Sequence, residues 1–285
     1  MTTDIIARIR KEYGSFSKSH RKLANAVINN YEKVADMTAA RLGRFAGVSE
    51  STVVRFAGAL GFDGYAHFQR AVCEFVKTQL KPNQRIDATK RRFDKKDIIE
   101  NVMESDINKI RITMENIDKS AFSNAVQAII NAKTIYVMGA RGSEPLAAML
   151  QYNLAMIFDN VKFIKPTSSA EVLEQMYSIG HGDVLIAFSF SRHSLKSINA
   201  AKFAIESGAE VISLTDSEAA PIAAHSSLLL VAQADMASFM DSLVAPLSII
   251  NSMIIEITNR CEKEIRKRFD RLERVWDEYE VCKKF

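Results

Sequence analysis

The sequence predicts a protein of two domains, an all-α domain followed by a doubly wound α/β sandwich built on a parallel sheet. Residues 1–80 show helical periodicity and contain no segment with the pattern of a strand. Residues 81–96 are charged and lack a sustained apolar period, so they are expected to form a linker. In the remaining part, residues 97–285, short apolar runs alternate with segments of helical length.

Charge divides the chain at the same place. Residues 1–96 contain 19 lysines and arginines against 9 acidic residues, whereas residues 97–285 contain 19 against 25. The total of +4 therefore hides a basic first third and an acidic remainder. This asymmetry indicates a polyanionic partner for the first domain alone, and a merely solvated basic surface is the alternative interpretation.

The composition favours a cytoplasmic protein without cofactors or membrane association. The three cysteines have neither CxxC nor His/Cys ligand spacing, which predicts reduced structural thiols and no metal site. The opening MTTDIIARIR lacks the apolar segment of a signal peptide. Residues 244–257 are rich in apolar side chains but also contain polar residues and Pro246, so a buried helix is expected there instead of a membrane span.

The first domain is predicted to contain five helices. The first covers residues 4–13, the second begins near residue 17, and the fifth runs from about residue 65 to residue 80. The residues that this periodicity assigns to the core are Ile5, Ile6, Ile9, Leu23, Ala26, Val27, Tyr31, Ala66, Val72, Phe75 and Val76, with either Phe68 or Gln69.

The third and fourth helices form the most informative stretch, TAARLGRFAGVSESTVVRFAGAL at residues 38–60. Gly47 is the expected left-handed residue after the third helix, Gly43 allows close approach, and Ser49 is expected to cap the fourth helix. The apolar residues at helical spacing are Leu42, Phe45 and Ala46, then Val53, Phe56, Ala57 and Leu60. This layout predicts a helix-turn-helix whose second helix enters the major groove. An ordinary helical hairpin, or a pair that binds protein, is the alternative.

The helix pair and the basic charge together predict double-stranded DNA as the partner. Arg55 suits a bidentate contact with guanine, hydroxyl groups tolerate several bases, and Val54 suits a thymine methyl group. Pairing of Arg55 with a neighbouring acid is the alternative. The residues predicted at the DNA are Ser49, Ser51, Thr52, Val54 and Arg55 on the fourth helix, and Lys18, His20, Arg21, Lys22 and Arg44 as phosphate contacts.

The second domain begins with a helix from residue 97 to about residue 116, and Ser120 is expected to cap another that ends near residue 132. Five short, continuously apolar runs follow, as expected for parallel strands buried on both faces. Their bounds are 134–138, 161–164, 184–188, 211–214 and 228–231. Strands that alternate with helices form crossover units, and such sheets bind ligands beyond the carboxyl ends of their strands.

Two loops at these strand ends predict an anion site. The loop over residues 139–143 combines two glycines with Ser143, which is able to cap the next helix. The loop over residues 189–194 has three hydroxyl groups directly before a helix. The alternative is that these serines are only turn and capping residues. The candidate effector contacts are Gly139, Arg141, Ser143, Ser189, Ser191, Arg192, His193 and Ser194.

Three quoted segments carry a resemblance to a known family: AGVSESTVVRFAGALGFDGYAHFQ, VMGARGSE and DVLIAFSFSRHS. From about residue 17 to residue 253 the chain resembles the RpiR/MurR family of bacterial transcription regulators. The resemblance implies a sugar isomerase (SIS) fold for residues 100–260, with a phosphosugar or related metabolite that changes operator affinity. It assigns Ser143 to the first-loop position, and Ser189, Ser191 and Ser194 to the hydroxyl positions of an S-x-S-G-x-[ST] loop.

This chain departs from that pattern at Arg192, where the family commonly has glycine, and His193 follows. Two interpretations are open. Either Arg192 grips a phosphate or carboxylate, or it fills the pocket and leaves the SIS-like domain to assembly alone.

A sugar-phosphate isomerase is the alternative to a regulator. Such an enzyme needs a positioned base, yet among the candidate loops only that of residues 189–194 contains a histidine, His193, and no Glu/His constellation is apparent. A non-enzymatic regulator is therefore predicted.

The carboxyl-terminal segment bears on assembly. Apolar residues spaced 4, 3, 4 and 3 apart predict a helical seam formed by Ile265, Phe269, Leu272, Trp276 and Tyr279. The segment is short for a coiled coil, so a terminal helix that packs on its own domain is an equal alternative. A homodimer or homotetramer is expected, because helix-turn-helix proteins commonly pair their recognition helices.

Overall fold

The computed structural model of the chain describes residues 5–35, 37–79, 97–234 and 240–280. The chain divides into two compact units, residues 1–92 and residues 93–285. The predicted linker over residues 81–96 and Cys282 lie outside the described residues.

The first unit contains the five predicted helices. They are α1 (Ile5–Glu12), α2 (Lys18–Ala35), α3 (Ala39–Ala46), α4 (Glu50–Ala59) and α5 (Tyr65–Gln79), with a short 3-10 turn at Tyr13–Ser15. A local departure from helical geometry at Asn30 (φ −141°, ψ 32°) bends α2. The predicted boundaries are confirmed to within about two residues.

The core of the first unit contains most of the residues that periodicity selected, including the three isoleucines of α1 and the apolar stripe of α4. The expected burial of Ala66 was wrong. Ala66 is exposed, whereas Phe68 fills the core and Tyr65 contacts Met37, between α2 and α3. On α3, Leu42 is buried and Phe45 is 46% exposed.

Three side chains of α5 contact the carbonyl groups of Ala35, the last residue of α2, and Met37, two residues after it. The Tyr65 hydroxyl donates to Met37 O (2.5 Å), and Gln69 Nε2 donates to Ala35 O (2.9 Å) and Met37 O (3.0 Å). Cys73 Sγ also approaches Ala35 O at 3.4 Å. Burial, and secondarily the neighbouring Cys73, raises the pKa of Tyr65 to about 12, so its hydroxyl remains a donor throughout the physiological range.

The second unit is built on a parallel sheet with strand order β2-β1-β3-β4-β5 among the described residues. The strands are β1 (Ile135–Gly139), β2 (Val161–Ile164), β3 (Val184–Ser189), β4 (Glu210–Thr215) and β5 (Leu228–Val231). Each bound lies within one residue of the predicted apolar run. The predicted doubly wound sheet is confirmed.

Helices surround this sheet. They are α6 (Ile98–Asn116), α7 (Lys119–Asn131), α8 (Glu144–Ile157), α9 (Ser169–Gln175), α10 (Leu195–Glu206), α11 (Val244–Arg260) and α12 (Glu262–Glu278), with 3-10 turns at Arg141–Ser143 and Pro221–His225. The expected cap of α7 was wrong. Asp118, not Ser120, caps this helix, and its carboxylate accepts from the amides of Ser120 (2.8 Å) and Ala121 (3.0 Å).

The sheet has a hydrophobic core on each face. Leu146, Leu150 and Leu154 of α8 belong to one core, and Ala200 and Ala204 of α10 belong to the other. The chain therefore leaves β1 toward one face and leaves β3 toward the opposite face, although these two strands are neighbours. The crevice between their carboxyl ends is a topological switch point, where sheets of this type bind ligands.

The last helix packs on its own unit at its beginning. Ile265 is buried, and the Arg268 guanidinium donates to Asp159 Oδ1 (2.6 Å) and Ala155 O (3.2 Å). Tyr279, at the other end of the predicted seam, is exposed. A seam between subunits stays a prediction. Within the described part of the chain, no helix has both the length and the apolar character to cross a membrane.

Candidate functional site

The turn between α3 and α4 is fixed by two glycines. Gly47 has a φ of +67° and ends α3, as predicted. A Cβ atom on Gly43 would lie 2.9 Å from the carbonyl oxygen of Val48, and the Val48 amide donates to Gly43 O at 2.8 Å. The two helices therefore meet at a distance that a larger side chain at position 43 would not allow.

Ser49 organises the start of α4. Its hydroxyl accepts from the Thr52 amide (3.3 Å) and lies 2.8 Å from Thr52 Oγ1 and 3.0 Å from Ser51 Oγ. The helix turns its apolar stripe into the core and leaves Ser51, Val54 and Arg55 exposed, while Thr52 is half-buried. The face that sequence analysis assigned to base contacts is thus accessible.

The predicted phosphate contacts differ in how far they are engaged within the first unit. Lys18, Lys22 and Arg44 are exposed. The His20 ring is half-buried and meets the ring of Phe56 of α4 edge-on at 5.5 Å, so the start of α2 lies beside α4. Arg21 donates to Gly14 O at 3.2 Å, which commits part of its guanidinium to its own unit.

In the second unit, the loop after β1 is closely packed against its own backbone. A Cβ atom on Gly139 would lie 2.4 Å from the carbonyl oxygen of Ser143. Arg141 is exposed and adopts a left-handed φ of +59°. Ser143 is buried, but its side chain makes no capping hydrogen bond, because the residue itself has helical dihedral angles (φ −85°, ψ −13°). The expected capping role of Ser143 was wrong.

The loop after β3 contains a chain of polar contacts. Ser189 Oγ lies 3.1 Å from His193 Nδ1, and His193 Nε2 lies 3.7 Å from Asp216 Oδ1 at the end of β4. The Thr215 hydroxyl donates to Ser189 O at 2.7 Å. The imidazole therefore joins the ends of two neighbouring strands. Ser194 stands at the N-cap position of α10 without a side-chain capping bond.

Arg192 lies in the left-handed region, with a φ of +53°, and is exposed. This geometry explains why glycine is favoured at such a position, since a side chain there costs about 1 kcal/mol. The described residues with positive φ other than glycine are Arg141, Arg192 and Glu280. Two of these three are arginines in the loops that flank the switch point.

Two acidic residues at this site were not among the predicted contacts. Asp216 directly follows β4, and the rule that ligands bind beyond strand ends was enough to find it. Asp241 accepts a hydrogen bond from the Ser191 hydroxyl across 50 residues of sequence, and no local pattern indicates that contact. Met240, beside it, would meet a Cβ atom on Gly142 at 3.5 Å. The chain at residues 240–242 therefore borders both loops.

Lys196, in the first turn of α10, is engaged by the loop after β2. Its ammonium donates to Pro166 O at 3.0 Å and to Thr167 O. In the described ranges, no group of His, Cys, Asp and Glu side chains is placed to hold a metal ion.

Family models match both units. Residues 3–78 match the helix-turn-helix domain of the rpiR family, and residues 128–256 match the SIS domain. The chain is 24% identical over 265 residues to an HTH-type transcriptional regulator of Caldanaerobacter subterraneus, covering 90% of this chain and 92% of that protein. It is 24% identical over 242 residues to the HTH-type transcriptional regulator HexR of Pseudomonas aeruginosa, covering 80% and 78%.

Two solved structures share the fold. The Vibrio vulnificus NanR protein complexed with ManNAc-6P is 22% identical, with a TM-score of 0.60, covering 96% of this chain and 98% of that one. The sugar isomerase domain of an RpiR transcription factor from Sphaerobacter thermophilus is 23% identical, with a TM-score of 0.60, covering 63% of this chain and 99% of that one.

Proposed function

The chain belongs to the RpiR family of helix-turn-helix transcriptional regulators that carry a SIS domain, and we propose that a phosphosugar or related anionic metabolite controls its operator binding. The proposal assigns residues 1–80 to DNA binding, residues 81–96 to a linker, and residues 97–285 to effector binding and assembly. The observation that carries it is the pairing of an exposed α4 face on a basic unit with a hydroxyl-rich switch point in the other unit.

For DNA recognition, we propose that Ser51, Thr52, Val54 and Arg55 face base edges in the major groove. Ser49 contributes by position, because its hydroxyl caps α4 and holds the two neighbouring hydroxyl groups. The exposed phosphate contacts fix the position of the first unit along the duplex. They are Lys18, Lys22 and Arg44. His20 and Arg21 add N–H donors that are not used in contacts within the first unit.

For effector binding, the loops after β1 and β3 each lead into a helix of twelve residues or more, α8 and α10. The amides at these helix starts favour an anion, and Ser143, Ser189, Ser191 and Ser194 add hydroxyl groups. Arg192 is exposed, which supports a grip on the ligand over the interpretation in which its side chain fills the pocket. Arg141 is placed in the matching loop. The phosphosugar bound to the NanR structure supports this class of effector.

We propose that the SIS domain has no catalytic role. His193 is the histidine of the candidate loops, and both of its ring nitrogens face groups of the protein, Ser189 and Asp216. An isomerase would need a base directed at the substrate carbon. Turnover of aldose or ketose phosphates by the purified protein would contradict this part of the proposal. A homodimer or homotetramer is proposed for assembly, so that paired α4 helices meet two half-sites.

Replacement of Arg55 by alanine is expected to weaken operator binding by about 1–3 kcal/mol and to relax one base position, because a bidentate contact with guanine is lost. The operator is first selected from random duplexes, and affinity is then measured by fluorescence anisotropy at fixed salt. Arg266→Ala is the matched control, since Arg266 is an exposed arginine of the second unit that pairs with Glu262 in the same helix. Equal affinities and preferences for the two variants would remove Arg55 from the interface.

Binding of a phosphosugar is expected to raise the thermal midpoint of the protein, because a ligand of the folded state stabilises it by mass action. A panel of phosphosugars that includes N-acetylmannosamine 6-phosphate surveys this effect on one plate. Ser194→Ala is expected to weaken binding about tenfold, equivalent to about 1.4 kcal/mol, since a half-buried hydroxyl that makes no capping bond is removed from the proposed anion site. Ser252→Ala, on α11, is the control and should bind normally. A flat panel would support a SIS domain used only for assembly.

A further inference from the structure

We propose that Asp241 competes with the effector's phosphate for the Ser191 hydroxyl, so that effector binding weakens the contact of the next residue, Ser242, with Asp106 of α6. This inference rests on the proposed effector site. It adds Asp241 as a residue that lowers the affinity for the effector, and it connects effector binding to α6. Neither the family pattern nor the loop sequences contain Asp241.

A serine hydroxyl has one proton to donate, and here that proton goes to Asp241 Oδ2. Above its second pKa, about 6, a phosphomonoester is a dianion whose oxygens can only accept hydrogen bonds, so it needs the same proton. Ser191 therefore cannot donate to the phosphate and to Asp241 at the same time.

The charge of Asp241 also opposes phosphate binding. A phosphate within hydrogen-bond distance of Ser191 would stand next to the Asp241 carboxylate, because both groups occupy the acceptor side of one hydroxyl. Two anions at such separation repel, and the half-buried setting of Ser191 and Asp241 weakens solvent screening. The carboxylate must therefore move away when the phosphate binds.

Movement of Asp241 would affect the contact that the neighbouring Ser242 makes with α6. The next residue, Ser242, is buried and donates its hydroxyl to Asp106 Oδ1 of α6 at 2.7 Å. Asp106 Oδ1 also accepts from Lys109 Nζ at 3.1 Å, and Lys109 is only 2% exposed. A buried lysine of this kind depends on its acidic partner, so the Ser242–Asp106–Lys109 group is a sensitive point of α6.

A second contact with α6 lies earlier in the chain. The amide of Gln233, just after β5, donates to Thr113 Oγ1 of α6 at 2.9 Å. Side chains of α6 thus hold the chain at Gln233 and at Ser242. In chain order, α6 is the first described helix after the DNA-binding unit. Displacement of Asp241 by an effector therefore acts on the helix that follows the linker.

The test uses methyl phosphate at about pH 8 as the probe, because its dianion is the group common to all phosphosugars and has no proton to donate. Binding to the full-length protein is measured by isothermal titration calorimetry for wild type, Asp241→Asn and the double variant Ser191→Ala with Asp241→Asn. Asp241→Asn removes the competing charge and keeps the size of the side chain, so we expect methyl phosphate to bind at least tenfold more tightly. The double variant should bind more weakly than Asp241→Asn, since the contested hydroxyl is gone while the charge is absent from both. The unfolding midpoint without ligand confirms that each variant is folded.

Unchanged or weaker methyl phosphate binding by Asp241→Asn would overturn the inference. Ser242→Ala tests the connection to α6, because it removes the bond to Asp106 and leaves Asp241 in place. We expect it to tighten methyl phosphate binding about threefold, and no change would overturn the connection. The proposed function is judged separately by the phosphosugar panel on wild type. A wild-type response without a gain in Asp241→Asn rejects the competition alone, whereas silence of the whole panel rejects the effector site.

Discussion

Replacement of Phe56 by alanine is expected to lower the free energy of unfolding of the first unit by about 3–5 kcal/mol, the range for a large aromatic side chain removed from a core. Phe56 is fully buried, and its ring meets those of Phe16 (5.3 Å), His20 (5.5 Å) and Phe68 (5.8 Å) edge-on. Such ring pairs add to the burial of area. The cavity would lie directly beneath the α4 face that carries Arg55, so operator binding should be lost along with stability.

The chain provides an internal control for this measurement. Its single tryptophan, Trp276, lies in α12 of the second unit, so tryptophan fluorescence follows that unit during urea unfolding. Circular dichroism follows the helices of both units. Phe56→Ala should shift the helical signal of the first unit and leave the fluorescence transition in place. Val54→Ala, on the exposed face of the same helix, should change stability by no more than about 0.5 kcal/mol. Similar stabilities of the two variants would contradict the assigned core.

The elements that sequence predicts well are those whose cause is local. Buried parallel strands are continuous apolar runs, and the bounds of β2 and β5 coincide with the predicted runs. The turn before α4 follows from Gly47 and Ser49. Gly47 adopts the left-handed region at no steric cost because it has no Cβ, and the Ser49 hydroxyl accepts from the Thr52 amide. Both causes lie within a few residues of their effect.

The features that sequence analysis missed depend on tertiary contacts or on competition between neighbours. Asp118 caps α7 because its carboxylate reaches two amides, so the nearby Ser120 is left inside the helix. Ser143 does not cap, since a 3-10 turn carries it into helical geometry first. Asp241 meets Ser191 only after the sheet has assembled, and a separation of 50 residues leaves no periodic trace. The loops of the site and Asp216 can thus be predicted from the sequence, whereas Asp241 is found only in the structure.

For the two arginines at the switch point, the sequence predicts the residue type but not the backbone conformation. The sequence shows that Arg192 replaces a glycine, but only the structure shows that the backbone stays in the left-handed region that glycine would favour, with a φ of +53°. Arg141 repeats this arrangement in the other loop, with a φ of +59°. Each costs stability that a glycine would not, and strain of this kind is concentrated at functional sites. The strained positions therefore support the effector site independently of the serines.

The largest expected effect on effector binding comes from a substitution in the loop after β1. Gly139→Ala is expected to weaken binding of the phosphosugar found in the panel at least a hundredfold, about 2.8 kcal/mol. The added Cβ would lie 2.4 Å from Ser143 O and 2.8 Å from Ser143 C, which are backbone atoms that cannot rotate away. The loop must shift, and the start of α8 shifts with it, so the amides no longer meet the anion. Binding is measured by isothermal titration calorimetry.

Gly142→Ala, three residues later in the same loop, is the matched control for Gly139→Ala. Among the residues that the structure describes, a Cβ atom at position 142 would meet only the flexible end of Met240, at an ordinary 3.5 Å. This variant should bind within about threefold of wild type, because overpacking is absent there. Gly139→Ala is also expected to lose about 1–3 kcal/mol of stability, which the unfolding midpoint reports, but the protein should remain folded at the temperature of the titration. Equal effector affinity in the two variants would show that the backbone of this loop does not hold the anion, and the effector site would then have to be sought away from the β1–β3 switch point.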